Sequence, residues 1–595
     1  MNKKETYTHS QPSKKDMKLL ELLHHKKNFK ELEIETKKLI EIYPNFSQLF
    51  NILGYSLHKQ GHLKSAIINY EQAISINPKF IFAYNNLGNV YKDLGKFNEA
   101  LSKYKYSIEL NPNYAEAYYN KGLLYKKFLK YNESIRSFKS ALDIKPDYLD
   151  AYFDLGQIFV MVGKFEEAIE NFQKVINLKS DFKQAYNNIF FTSLYMKKNN
   201  YDFFTALARK FRSSVKTIDK KLLPQNQFEK KPKKLRIGFI SGDFWEHPVG
   251  YILLGTLKNL RNKNLELIGY SNFFKQDKFS TKIKSYFDKW YEIENKEDFE
   301  VINSIRNDKI NILVDLSGHS AKNRLSLFMN KAAPIQISWG GYPGFTGVPE
   351  IDYVIGDPYV TPKNENKFFS EKVFLLPNIW ICFTAPEIEI EIKKLPAIKN
   401  KYITFGSFNN LSKINDEVIS LWSKIIKAIP KSKIFLKSNV LDDAYFSELI
   451  IDKFKKNNVK KDSIILEGRS SRTDYLNCYN KIDIALDPFP WSGGISTFES
   501  LWMGVPVLTK KGFDKFVSHQ TESINYNSGM GDWVASDNNE YFNKAVKFAL
   551  DINELSKVRK NLREKVLKSP SFDTSLFAQE FDKALWKIWN NFIQK

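Results

Sequence analysis

Pro490-Trp491-Ser492-Gly493-Gly494-Ile495-Ser496-Thr497 lies between an apolar run, Ile482–Leu486 (IDIAL), and a helix-like run, Phe498–Met503 (FESLWM). Read in order, this is a buried strand, a tight glycine loop and the helix behind it. Two glycines let backbone amides come close to a ligand. The adjacent hydroxyls and the positive end of a helix suit a diphosphate.

Working outward, short apolar runs alternate with helical stretches from Lys234 onward. Leu235–Ile240, Leu267–Tyr270, Ile312–Asp315 and Ile335–Ser338 form one series of strands. After a polar, lysine-rich break at Glu389–Lys401 a second series follows: Tyr402–Phe405, Lys433–Leu436, Ile464–Leu466 and Ile482–Leu486. Strands alternating with helices imply parallel sheets, and two series imply two doubly wound lobes with a ligand in the cleft between them. Neither series carries GxGxxG or GxxxxGK[ST] after a strand, which speaks against a dehydrogenase or a kinase. HExxH and GxSxG are also missing. Asp483 and Asp487, four apart on one strand, do not form a chelating pair, so no metal is expected and the diphosphate charge falls to protein cations and amides.

The chain has 595 residues, too many for one core, and 43% of them are hydrophobic, so several folded domains are expected. Ninety Lys and Arg against 67 Asp and Glu give a net charge of +23. The lysines are spread over repeats, loops and helix faces rather than gathered in one block, and no nucleic-acid partner is expected. Cys382 and Cys478 form neither a disulfide framework nor a zinc-ligand cluster. Met1–Lys15 lacks the apolar core of a signal peptide, and the most apolar run, Val373–Phe383, is too short to span a bilayer. These features place the protein in the cytoplasm, without membrane insertion.

At a shift of 34 residues the first third of the chain matches itself. Gly54, Gly88, Gly122 and Gly156 recur, as do Ala66, Ala100, Ser134 and Ala168, and Pro44, Pro78, Pro112 and Pro146. Small residues let paired helices pack closely and proline closes each unit, a pattern that resembles the tetratricopeptide repeat. A further column, Asn86, Asn120, Asp154 and Asn188, stands two residues before the small position. Two readings are open for it: hydrogen bonding to the backbone of an extended acceptor peptide, or bonding between neighbouring helices. A phosphate-bearing donor site joined to a protein-recognition arm points to an enzyme that modifies proteins.

Several longer segments carry a second resemblance: SGDFWEHPVGY (241–251), DLSGHSAKNRL (315–325), PIQISWGGYPGFTG (334–347), FGSFNNLSKIN (405–415) and LDPFPWSGGISTFESLWMGVPVLT (486–509). From about Leu235 onward the chain resembles the O-linked N-acetylglucosamine transferases, a family that includes the plant Spindly-type O-fucosyltransferases. The resemblance implies a two-lobed GT-B fold behind the tetratricopeptide superhelix. It also implies a nucleotide-sugar co-substrate, no metal cofactor, and inverting transfer to serine or threonine of proteins bound by the repeats. UDP-N-acetylglucosamine is the leading donor and GDP-fucose the alternative, with an inactive tetratricopeptide adaptor as the reading from another class.

The resemblance assigns roles residue by residue. Lys413 matches the donor-phosphate lysine, and Asn410 stands where the family has a glutamine near the donor. Gly493, Gly494, Ser496 and Thr497 would hold the diphosphate, and Glu499 replaces a ribose-binding aspartate. Gly341 would bring backbone close to the sugar. His247 matches the histidine facing acceptor and donor sugar, as general base or as a positioning group; His319 reads as structural. Arg472 and Tyr475 depart from the lysine and histidine that animal members place around uracil, which leaves uracil and guanine both open. The resulting organisation is a flexible tail (1–11), a tetratricopeptide domain (12–200), a helical linker (201–233), an N-terminal lobe (234–388), an interlobe linker (389–401) and a C-terminal lobe with the nucleotide-sugar site (402–595).

Overall fold

Glycine and an aromatic ring set the spacing of the repeat helices. In the computed structural model, which describes residues 11–198, 200–224, 228–261, 264–273 and 275–594, residues up to Phe159 form one compact unit and those from Val160 a second. The expected N-terminal tail, apart from Gln11, lies outside the described residues. The first unit consists of antiparallel helix pairs such as Ile81–Asp93 with Phe97–Leu110 and Ala115–Lys127 with Tyr131–Ile144. A Cβ placed on Gly54, Gly88 or Gly122 would stand 2.8, 2.6 or 2.6 Å from the ring of Tyr70, Tyr104 or Phe138 on the paired helix. The recurring glycine therefore makes room for a buried ring. Where Ser134 replaces the recurring alanine, its hydroxyl donates to the Gly122 carbonyl at 2.7 Å, so the polar atom is not orphaned.

The second unit begins with the last repeat helices, Phe165–Leu178 and Lys183–Ser193, followed by Tyr201–Ser214. The sequence periodicity runs on to about residue 200, yet these helices pack with the α/β lobes. Phe165, Leu194 and Tyr195 share a core with Tyr342, Trp491 and Val517. The Lys515 ammonium donates to the Ser193 carbonyl at 2.9 Å and to that of Met196, at the end of the last repeat helix.

Two all-parallel sheets follow. The first has β1 (Leu235–Ser241), β2 (Leu265–Ser271), β3 (Lys289–Glu292), β4 (Ile312–Asp315), β5 (Ile335–Ser338), β6 (Tyr353–Gly356) and β7 (Lys372–Leu375), in the order β3-β2-β1-β4-β5-β6-β7. The second has β8 (Thr404–Ser407), β9 (Lys433–Lys437), β10 (Ile464–Glu467), β11 (Ile484–Leu486), β12 (Val507–Lys510) and β13 (Val534–Ala535), in the order β10-β9-β8-β11-β12-β13. The chain therefore turns back beside β1 in one sheet and beside β8 in the other, which is where such sheets open a crevice. The long final helix, Thr574–Ile593, returns to the first lobe: Phe581 packs on Trp339 with ring centroids 4.5 Å apart, and Asn259 donates to the Thr574 hydroxyl at 3.1 Å.

Gly88→Val should destabilise the repeat unit by about 1–3 kcal/mol through overpacking against Tyr104. Urea unfolding of the full chain should show its earliest transition moved to lower denaturant. An unmoved transition would mean that the ring is free to swing aside.

Candidate active site

The cleft between the lobes has a volume of about 450 Å³. His247, Tyr251, Gly341 and Trp380 line it from the first lobe, and Asn410, Lys413, Arg472, Tyr475, Gly494, Ser496 and Glu499 from the second. Bonds across the lobes fix the walls. Ser523 donates to Asp357 at 2.6 Å, and His519 lies between Glu365 at 3.2 Å and Glu522 at 2.7 Å. The two carboxylates outweigh burial and raise the His519 imidazole to about 9, so it is a cation at neutral pH.

Lys413 ends a 3-10 turn, Leu411–Lys413, capped by the Asn410 side chain, which accepts the Ser412 N–H at 3.0 Å. The ammonium donates to the Ser492 carbonyl at 2.9 Å and lies 5.0 Å from the centre of the Trp491 ring. Burial lowers it to about 8, against the attraction of Asp487. Asn409 stands beside it, accepting from Lys413 at 3.4 Å and from the Ser496 hydroxyl at 3.2 Å. A desolvated cation at the open end of the helix Ile495–Trp502, whose N-cap is Gly494, forms a positive patch for an anion.

Gly493 and Thr497 do not reach the cleft wall. The Gly493 amide donates to Asp487 at 2.7 Å, and Thr497 is buried with its hydroxyl 2.9 Å from that of Thr521. A Cβ on Gly493 would stand 2.3 Å from the Thr497 hydroxyl and 2.9 Å from the Asp487 carboxylate, so the glycine is needed for packing. Asp487 also accepts the Thr509 hydroxyl at 2.7 Å, and burial raises its carboxyl to about 6. Its role is to anchor the loop, which no spacing in the sequence discloses. A Cβ on Gly341 would come within 1.6 Å of the Leu316 carbonyl oxygen, so this glycine answers to backbone contact as well as to the open cleft beside it.

Glu499 is buried, and its carboxylate is engaged by the Arg472 guanidinium and by the Tyr475 hydroxyl at 3.0 Å. Burial raises the Glu499 carboxyl and the guanidinium opposes that rise. Arg472 also stacks on Tyr251 of the other lobe, 4.6 Å from its ring centre, and its Nη2 is buried without a partner. A buried orphan donor on a cleft wall is a place for a ligand oxygen or ring nitrogen.

His247 caps the helix Pro248–Leu260. Its Nδ1 accepts the Val249 N–H at a long 3.4 Å and lies 3.8 Å from Asp243. Burial lowers its pKa and Asp243 opposes that, so the ring is neutral at pH 7. His319 is remote from this chemistry: it is buried, 2.8 Å from Asn187 and 2.7 Å from the Thr346 carbonyl, stacked on Phe190 at 4.2 Å and held at about 3 by burial.

On the arm, the asparagine column bonds neighbouring helices. Asn86 donates to Asn51 and Asn120 to Asn85, each at 3.0 Å. Asp154 accepts from Tyr119 at 2.8 Å and from Lys126 at 2.7 Å. Asn188 is half-buried in the second unit. Among the described residues no cluster of three or more His, Cys, Asp or Glu could hold a metal ion, and no helix is long and apolar enough to cross a membrane.

The family model for glycosyl transferase family 41 matches residues 213–387 and 383–581. The chain belongs to that family. Models of the tetratricopeptide repeat match 54–95, 88–127, 130–163 and 149–182. Among curated relatives, a tomato (Solanum lycopersicum) protein named probable UDP-N-acetylglucosamine–peptide N-acetylglucosaminyltransferase SPINDLY is 32% identical over 365 residues, 60% of this chain and 39% of the relative. An Arabidopsis thaliana protein named as the SEC counterpart is 28% identical over 371 residues, 60% of this chain and 37% of its own. The matched region thus spans about two fifths of these relatives. A solved structure of a mutant O-GlcNAc transferase from Thermobaculum terrenum superposes with a TM-score of 0.74 at 27% identity, covering 86% of this chain and 98% of its own.

Asp487→Ala should release the Gly493 amide and the Thr509 hydroxyl into a buried site, at about 1–3 kcal/mol for each unsatisfied group. A thermal melt should shift down clearly. An unchanged melt would show that water or a neighbouring group takes over both bonds.

Proposed function

We propose that this protein is an inverting O-glycosyltransferase that moves a sugar from a nucleotide diphosphate to serine or threonine hydroxyls of acceptor proteins in the cytoplasm, without a metal. The observation that carries the reading is the desolvated Lys413 ammonium beside the helix start at Gly494, both on the second-lobe wall of the interlobe cleft. The acceptor oxygen forms its bond to the anomeric carbon as the bond to the diphosphate breaks, and the diphosphate leaves with the electron pair. Lys413 neutralises the charge that grows there, aided by the Ser496 hydroxyl and the amides at the helix start. Asn410 and Gly341 border the sugar. As general base at Nε2, His247 must hold its single hydrogen on Nδ1, turned toward Asp243 in place of the long Val249 N–H contact, and Asp243 then steadies the imidazolium that forms.

UDP-N-acetylglucosamine is the donor we favour, in keeping with the names of the relatives. Arg472 supports a second reading. Its free Nη2 can meet a uracil carbonyl, and it can equally meet the O6 and N7 edge of guanine, as GDP-fucose would require. In either complex Glu499 would turn part of its hydrogen bonding from Arg472 and Tyr475 to the ribose hydroxyls. Acceptor proteins would lie along the repeats. Asn86, Asn120 and Asp154 already bond to adjacent helices, so each has only its remaining capacity to offer a peptide backbone, and Asn188 adds a fourth position.

Lys413→Ala should lower donor turnover on the order of 100- to 1000-fold with the fold intact, the usual cost of one preorganised charge-stabilising group. Ordinary turnover in the folded variant would place leaving-group stabilisation elsewhere. Excess EDTA should leave wild-type transfer intact, and a loss restored by manganese would sink the metal-free reading.

The pH profile tests the two titrating groups. His247 must be neutral to accept a proton, so kcat/KM should fall as pH drops through a value below 6.5. Lys413 must be charged, so kcat/KM should fall as pH rises through about 8. Asp243→Asn removes the charge that holds the imidazole up, so the acid limb should move to lower pH. A flat acid side would limit His247 to positioning the hydroxyl.

A further inference from the structure

A second cavity of about 450 Å³ lies on the other face of the turn that carries Lys413. Leu411, Ser412 and Ile414 line this cavity, whereas Asn410 and Lys413 of the same turn line the donor cleft; likewise Pro490 faces this cavity and Trp491 the cleft. Its walls are largely apolar, with Phe165, Tyr195, Phe446, Ile450 and Phe489 among them, and Phe513 at the edge is 74% exposed.

The charges around it are unbalanced. Four lysines and three acids line the cavity. Glu417 is taken by Lys197 at 2.8 Å and by Asn538 at 3.0 Å, and Asp416 by Lys453 at 2.8 Å. Lys510 shares the field of Glu417 with Lys197 and also feels Asp537, while Lys511 and Glu166 are exposed at the rim, so the lining carries one positive charge in excess. The Lys510 ammonium lies 3.7 Å from the centre of the Phe489 ring and donates to the Asn538 side-chain oxygen at 3.0 Å; its direct contacts are neutral, and burial lowers it against the more distant pull of Glu417 and Asp537. Pockets of this size with apolar walls and a few convergent polar groups take small molecules, and with ammonium groups as the polar members the complementary ligand is an anion with an apolar body.

We infer that this cavity is a second ligand site, for a small amphiphilic anion whose aromatic body enters the apolar wall and whose acid group meets Lys510 and Lys511, and that its occupant acts on the donor site through the shared Leu411–Ile414 turn. The effect on the donor site rests on the glycosyltransferase reading; the binding does not.

The test uses the full chain and two fluorescent probes that differ by one sulfonate, 8-anilinonaphthalene-1-sulfonate and neutral N-phenyl-1-naphthylamine. The sulfonate should bind saturably at one site, at least tenfold tighter than the neutral probe, and saturating UDP should not displace it. Lys510→Glu with Lys511→Glu should weaken the sulfonate at least tenfold at an unchanged melting temperature. Leu449→Trp, which fills the cavity without altering charge, should remove both probes, and it serves alone if the double variant does not fold. Sulfonate binding that survives Leu449→Trp, gives way to UDP or is matched by the neutral probe overturns the site. The sulfonate should also change donor hydrolysis at least twofold in the wild type but not in Leu449→Trp, and no change overturns the link between the sites. A wild type that hydrolyses no nucleotide sugar counts against the glycosyltransferase reading and likewise overturns that link, while the binding result stands by itself.

Discussion

A lysine ammonium taken out of water needs partners, and around Lys413 those partners organise the cleft. Its nearest are neutral, the Ser492 carbonyl and the Asn409 amide oxygen, with the Trp491 ring alongside. Asp487 lies farther off, already holding Gly493 and Thr509. The cation is thus solvated enough to stay in place but not cancelled by an ion pair, which leaves its field free to act on an anion in the cleft. The burial that lowers it to about 8 leaves it mostly charged at neutral pH. Moving Asp487 into direct contact would cancel that field and release the Gly493 and Thr509 bonds that fix the loop.

The rest of the catalytic half keeps this arrangement in register. Asp487 at the end of β11 ties down the glycine loop, Asn415 donates to the Phe489 carbonyl at 2.6 Å just ahead of it, and Ser492 donates its hydroxyl to Val517 at 2.8 Å. Across the cleft, Arg472 spans the lobes by pairing with Glu499 on its own side and stacking on Tyr251 opposite. A ligand that draws Glu499 away would loosen that pair and strengthen the demand of Arg472 for a new acceptor, so on the proposed function one side chain would serve both nucleotide recognition and lobe contact.

Much of the fold was legible in the sequence because its signals are local. Strands buried on both faces, such as Ile312–Asp315, read as apolar runs, and the 34-residue glycines read as repeats. Three of the four edge strands did not: Lys289–Glu292 and Lys372–Leu375 carry exposed charged residues, and Val534–Ala535 is two residues long, whereas the fourth, Ile464–Glu467, opens on an apolar run and was readable. Periodicity extended the repeat array to about residue 200, whereas the packing joins the chain from Val160 to the catalytic half, because a repeat pattern reports how two helices pair and not what their outer faces bury. In the site, the glycine loop was visible as a loop but the direction of each amide was not, so Gly493 and Thr497 read as ligand contacts although they face Asp487 and Thr521. The Arg472–Glu499 pair joins residues from two helices and has no sequence signal.

The central event is the arrival of a sugar on a protein hydroxyl. Intact-mass spectrometry of an unstructured, serine- and threonine-rich acceptor protein, incubated with the purified chain and either UDP-N-acetylglucosamine or GDP-fucose, measures this directly. The expected result is a mass gain equal to one or more sugar residues from one of the two donors, located on serine or threonine by fragmentation and missing when the chain carries Lys413→Ala. An acceptor left unmodified by both donors, while the folded chain demonstrably binds their nucleotides, would contradict it.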